Sequence, residues 1–192
     1  MYKYFIFFIA LISAATYTPK ASAGLYIQHA FNYTSDSDNA DKFSYGSMKN
    51  MFFIGGTLGT KNNFVIGQNV YYWNRNYAHT TNTTGNTLSM LELGPRLIFF
   101  FQEEKNFYLS LNYNFYAKGS RTLSGVNQTV DGTSIFFNAG YDFKISRSVF
   151  IGVALNYHSL SLTKAEVGST STTISNSYVN IYPTLEISFR FR

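Results

Sequence analysis

Residues 178–192, YVNIYPTLEISFRFR, alternate between two kinds of side chain almost without error. Val179, Ile181, Pro183, Leu185, Ile187, Phe189 and Phe191 fall on one face. Tyr178, Asn180, Tyr182, Thr184, Glu186, Ser188, Arg190 and Arg192 fall on the other. A period of two marks a strand with one side in an apolar medium and one in a polar medium. The run is far longer than the ~5–6 residues of an ordinary globular strand. The same contrast recurs back along the chain. It predicts strands over 25–34, 49–59, 64–75, 88–101, 106–118, 133–144, 149–162 and 178–192.

The third of these is ambiguous, because each face carries an amide near its middle. Phe64, Ile66, Gln68, Val70 and Tyr72 are taken as the apolar set because Arg75 sits on the other. Long connections over 36–48, 76–86, 119–132 and 164–177 alternate with short ones near 60–63, 102–105 and 145–148. Longer loops at one end and tight turns at the other are the rhythm of a closed barrel with an even number of strands. An open sheet would leave two unpaired edges, and lipid tolerates none.

Charge follows the same division. The eight apolar faces hold no Lys, Arg, Asp or Glu, while Lys49, Arg75, Glu92, Arg96, Lys118, Asp142, Lys144, Glu186 and Arg190 fall opposite. A Lys or Arg facing lipid at the midplane costs ~2–4 kcal/mol, which accounts for the segregation. The expectation is an all-β fold: a closed, antiparallel, eight-stranded, up-and-down transmembrane β-barrel. The rival is a soluble barrel, apolar inside. Its exterior would carry roughly 25–35% charged residues. Here only 13% of the chain is charged and 19% is aromatic, and Tyr and Phe gather near strand ends, as in interfacial girdles.

Residues 1–23 read as a secretory signal, with Lys3 at the start, an apolar run over 4–12 and Ala21-Ser22-Ala23 as the cleavage site. The run is shorter than the ~20 residues a membrane helix needs. Cleavage near Ala23 would leave a barrel domain over 24–192. Losing Lys3 and Lys20 would lower the formal charge from +5 to +3. With no basic run, that names no nucleic-acid partner. The chain has no cysteine, so disulfides, thiolate metal sites and cysteine nucleophiles are excluded. The three histidines are scattered without metal-ligand spacing. No cofactor, metal or catalytic residue is expected.

Taken whole, residues 24–192 resemble the small eight-stranded barrels of the bacterial outer membrane, such as the OmpA transmembrane domain, OmpX and OmpW. The match is one of pattern over the whole span. It implies an outer-membrane location, a monomer, and contact with outer-membrane lipids and lipopolysaccharide. It also implies that the barrel-insertion machinery reads the closing strand, with Phe189 and Phe191 as the aromatic signal and Arg192 one residue beyond. The activities of such barrels include anchoring, adhesion, narrow conduction and lipid modification. The lipid A deacylase, similar in fold, uses a His and a Ser two residues apart. Here Leu160 stands at that distance from His158, and parity turns His158 inward.

The sharpest constellation is Glu92 and Arg96 on the fourth strand with Glu186 and Arg190 on the eighth, joined by Asp142 on the sixth. Four residues along a strand span ~13 Å, so pairing must cross between strands. Buried charges need partners. Two readings follow: an ion-pair plug in a bore just wide enough for side chains, or a gate for small ions. Pro95 and Pro183 each remove a ladder donor and predict a bulge or, alternatively, a lateral opening. The polar loops leave a surface ligand possible without naming one.

Overall fold

The computed structural model describes residues 24–38, 43–58, 63–79, 82–101 and 104–191. The expected export segment 1–23 and Arg192 lie outside them. Eight strands run β1 (Leu25–Asp38), β2 (Phe43–Leu58), β3 (Phe64–His79), β4 (Asn82–Phe100), β5 (Phe107–Leu123), β6 (Val126–Lys144), β7 (Val149–Val167) and β8 (Thr170–Phe191). Each pairs antiparallel with the next, and β8 closes on β1. We call the end bearing Gly24 and Phe191 the base, and the end bearing the β1–β2, β3–β4, β5–β6 and β7–β8 turns the tip.

The period-two contrast set the faces correctly, the ambiguous β3 included, except in β5 beyond Phe115. Outward residues such as Leu155 (57% exposed), Leu185 (66%) and Ile181 (68%) are apolar and bare. Inward neighbours such as Asn156, Glu186 and Tyr182 are buried. A soluble barrel would bury the apolar face, so the observed orientation rules that rival out. The interior is not wholly polar. Tyr26, Phe53, Val65, Ile98, Phe100 and Tyr108 pack together near the base, and Met51, Tyr71, Trp73, Met90, Phe136 and Leu160 pack further up.

Three sequence expectations need correction: the long loops, the face of Lys118, and the bulge expected of Pro183. The long connections are mostly ladder. β5 and β6 run to Leu123 and from Val126, and β7 and β8 run to Val167 and from Thr170. Ser124 and Gly125 both take positive φ, as a two-residue type I′ hairpin requires, and Gly168 does so at the next tip turn. Over 170–177 β8 is largely exposed on both faces, so the alternation fades while the backbone goes on pairing. Serine and threonine supply the sequence there, and threonine suits the pleat.

The second correction is Lys118, expected inside with Tyr116. A bulge in β5 between Asn114 and Ala117 places one extra residue in the strand. Every side chain beyond it changes face. Tyr116 and Lys118 therefore point outward, while Ala117 and Arg121 turn in. Lys118 lies 3.8 Å from Asp131 across the β5–β6 pair. The cause sits on β4, opposite the bulge. Pro95 has no N–H to offer the ladder, and a Cβ on Gly94 would collide with the β5 backbone at Tyr113 and Asn114. The bulge expected of Pro95 is thus on the partner strand.

Pro183 marks something else. β8 runs in register with β7 through Leu155↔Pro183. Its pairing with β1 stops just short, at Phe31↔Leu185. From there toward the tip, β1 and β8 face each other without a ladder. At its foot Asn32 Nδ2 donates across the seam to the Pro183 carbonyl at 2.8 Å.

Candidate functional site

The charged interior stacks from base to tip. Nearest the base, the Arg190 guanidinium forms an ion pair with Asp142 and donates to the Lys105 carbonyl at 2.6 Å. It also lies over Phe150, its Cζ 3.9 Å from the ring centre. Packing a guanidinium against aromatic faces lets it lose water without losing all its electrostatic partners.

The next layer joins Arg96 to Glu186 without direct contact. Arg96 Nη1 donates to Gln28 Oε1 at 2.6 Å, and Gln28 Nε2 donates to Glu186 Oε2 at 2.8 Å. Tyr108 donates a short hydrogen bond to the same carboxylate, and Arg96 Nε reaches Ser110 Oγ at 3.0 Å. An amide is suited to this bridge because it accepts at one end and donates at the other. Gly140 makes room for it: the Tyr108 ring occupies the space a Cβ would fill.

Further toward the tip, Glu92 accepts from four side chains: Trp73 Nε1 at 2.6 Å, Asn114 Nδ2 at 3.0 Å, Ser134 Oγ, and His158 Nε2 at 3.2 Å. The His158 ring stacks on Phe136, centroids 4.1 Å apart, and meets Tyr71 and Trp73 edge-on. Because a carboxylate only accepts, His158 Nε2 carries the proton in this contact. Ser134 and His158 both donate into Glu92, with Glu92 between them. A nucleophilic triad needs the histidine in the middle, taking the serine proton, so this grouping does not assemble one.

The five residues singled out in sequence are therefore all inside the barrel, in three separate layers. Only Asp142 and Arg190 meet directly. Glu92 and Arg96, four apart on one strand, belong to different layers. Sequence reasoning missed Gln28, Trp73, Tyr108, Asn114 and Ser134 as partners. Parity alone would have placed them inside, but nothing in a single sequence says which strand lies across a closed bore. Phe189 and Phe191 face outward at the base, opposite Ile27 and Leu25 of β1.

No family model matches the chain, and no curated protein does. Solved structures are similar at low identity. The translocator domain of the autotransporter NalP from Neisseria meningitidis is 12% identical with a TM-score of 0.42, over 95% of this chain and 66% of that one. Neisserial surface protein A is 12% identical with a TM-score of 0.46, over 88% and 96%. The β domain of the Bordetella autotransporter BrkA is 9% identical with a TM-score of 0.43, over 89% and 100%.

Proposed function

We propose that this chain is a bacterial outer-membrane β-barrel with a structural or surface-interaction role, its lumen closed by its own side chains. One observation carries the reading: a closed ring of strands wears its apolar side chains outward and holds Glu92, Arg96, Asp142, Glu186 and Arg190 inside, ion-paired or hydrogen-bonded. Water would penalise that surface, whereas a lipid core matches it. The apolar faces of β1 (from Leu25 to Tyr33) and β5 (from Phe107 to Phe115) fit the ~9–11 residues a tilted strand needs to cross. Both strands then continue toward the tip, as β1 does to Asp38 and β5 to Leu123. That raises a polar rim beyond the membrane for surface contacts. Outer-membrane lipids and lipopolysaccharide would surround the belt, and the insertion machinery would meet Phe189 and Phe191.

A narrow conduit is the second reading, favoured by the missing β1–β8 ladder above Phe31 and Leu185. Lipid modification has no comparable support. Fractionation of cells expressing the chain tests the first reading. The protein is expected in the outer-membrane fraction, resistant to alkaline extraction and slower on gels after boiling. Recovery in the soluble periplasmic fraction would refute it.

A further inference from the structure

Above the Glu92 layer the lumen holds three inward cations, and among the described residues no acid pairs with them. Lys49 is only 3% exposed. Its ammonium is 3.0 Å from Ser47 Oγ and 3.4 Å from Asn32 Oδ1, and 4.5 Å from the centre of the Tyr182 ring. Arg75 lies over Tyr178, 4.9 Å from its centre. Arg121 reaches the Tyr178 hydroxyl and Asn176 Oδ1, each at 3.4 Å, and bonds Gln128 through two nitrogens. None of the three forms an ion pair among the described residues, Asp36 on β1 included. The layers below differ, with Arg190 facing Asp142 and Arg96 tied to Glu186 through Gln28.

All three cations converge on one strip of β8, the inward positions Tyr178, Asn180 and Tyr182. Asn180 lies between the two tyrosines, and its Nδ2 is buried with no partner among the described residues. A buried donor without an acceptor and a buried ammonium without a counter-ion are both unfavourable. Contact with tyrosine faces offsets only part of that, at about 0.5–2 kcal/mol each. An oxyanion is the ligand whose chemistry answers such groups: it accepts from an amide, takes arginine forks, and neutralises the charge.

We propose that Lys49, Arg75, Arg121 and Asn180 form a binding site for a phosphate group inside the tip half of the barrel. Three cations suit a doubly charged group better than a single carboxylate. The seam supplies the way in. Lys49 touches Asn32, whose amide donates across the foot of the unpaired β1–β8 stretch. A free phosphate would enter from the tip. A phosphorylated lipid would bring its head group through the seam and leave its chains against the apolar faces of Val179 and Ile181. The site rests on interior geometry and stands apart from the surface-interaction reading.

Trp73 is the only tryptophan and the register partner of Lys49, so its fluorescence reports on the site. The purified protein in a phosphate-free maltoside detergent is titrated with inorganic phosphate and with short-chain phosphatidic acid, and calorimetry serves as an independent readout. Saturable binding is expected, weakened at least tenfold in Lys49→Gln and in Arg121→Gln. Lys118→Gln, which removes the same charge from the outer face, should bind like the parent. If Lys49→Gln does not fold, Arg75→Gln takes its place, as a half-buried side chain. Tighter binding of phosphatidic acid would assign a lipid head group, and equal or tighter binding of inorganic phosphate a free anion. Absence of saturable binding by both probes would overturn the proposal, and so would equal affinity in all variants.

Discussion

Replacing Glu92 by alanine removes the acceptor on which four buried donors depend. Two of them have somewhere else to go. Asn114 Nδ2 already lies 2.8 Å from Ser134 Oγ, so this pair can satisfy itself. Trp73 Nε1 and His158 Nε2 have no other acceptor among the described residues, and His158 Nδ1 is already without a partner. Each buried polar group left unpaired costs about 1–3 kcal/mol, so the two together give ~2–6 kcal/mol. The lost methylene and carboxylate add a cavity term, but the donors can shift to meet water, so about 3–5 kcal/mol is expected, the range for breaking a buried charged pair. Glu92→Gln keeps one acceptor oxygen and turns an amide donor toward existing donors, so its cost should fall between alanine and the parent. The assay is reversible urea unfolding of the lipid- or detergent-bound barrel, read by the gel-mobility shift as well as by Trp73 fluorescence. A Glu92→Ala barrel within about 1 kcal/mol of the parent would refute the layered network, since even one unpaired donor costs that much.

Arg96→Ala frees the acceptors Gln28 Oε1 and Ser110 Oγ and leaves Glu186 facing only neutral donors, so unfolding should move to lower urea by about 2–4 kcal/mol, while an unchanged midpoint would dismantle the Gln28 bridge. In a chain that has no cysteine, Lys118→Cys should react with a water-soluble maleimide and Ala117→Cys should not; the opposite pattern would place the β5 bulge elsewhere. Gly140→Ala pushes the Tyr108 ring off Glu186 and should cost about 1–3 kcal/mol in the same unfolding assay. A neutral result there would mean the ring has room to move.

How far the sequence could be read follows from where a contrast of media existed. Within the apolar belt every strand separates a bare apolar face from a packed interior, so Leu185 and Glu186, or Leu155 and Asn156, announce their faces by type alone. Toward the tip that contrast disappears. The threonine- and serine-rich stretch that precedes Tyr178 reads as a loop although β8 begins at Thr170. The change of face after Asn114 was legible only through its cause, and Gly94 and Pro95 announce a bulge without saying which strand carries it. Arg121 was lost to a supposed loop for the same reason. Inward placement of Glu92, Arg96, Asp142, Glu186 and Arg190 followed from parity. Their partners did not, because pairing across a closed bore depends on stagger between strands far apart in the chain. His158 could be turned inward by counting, but its place beside Glu92 needed the closed ring.

The central claim is a barrel whose bore is closed by its own side chains, and conductance of the folded protein in a planar bilayer tests it most directly. The expected result is silence from a barrel shown to be folded by its gel mobility, with conductance emerging only when the Glu92 or Arg96 layer is cut back to alanine. Steady single-channel steps from the unaltered protein, changed in size by those same substitutions, would contradict it and make the charged layers a gate.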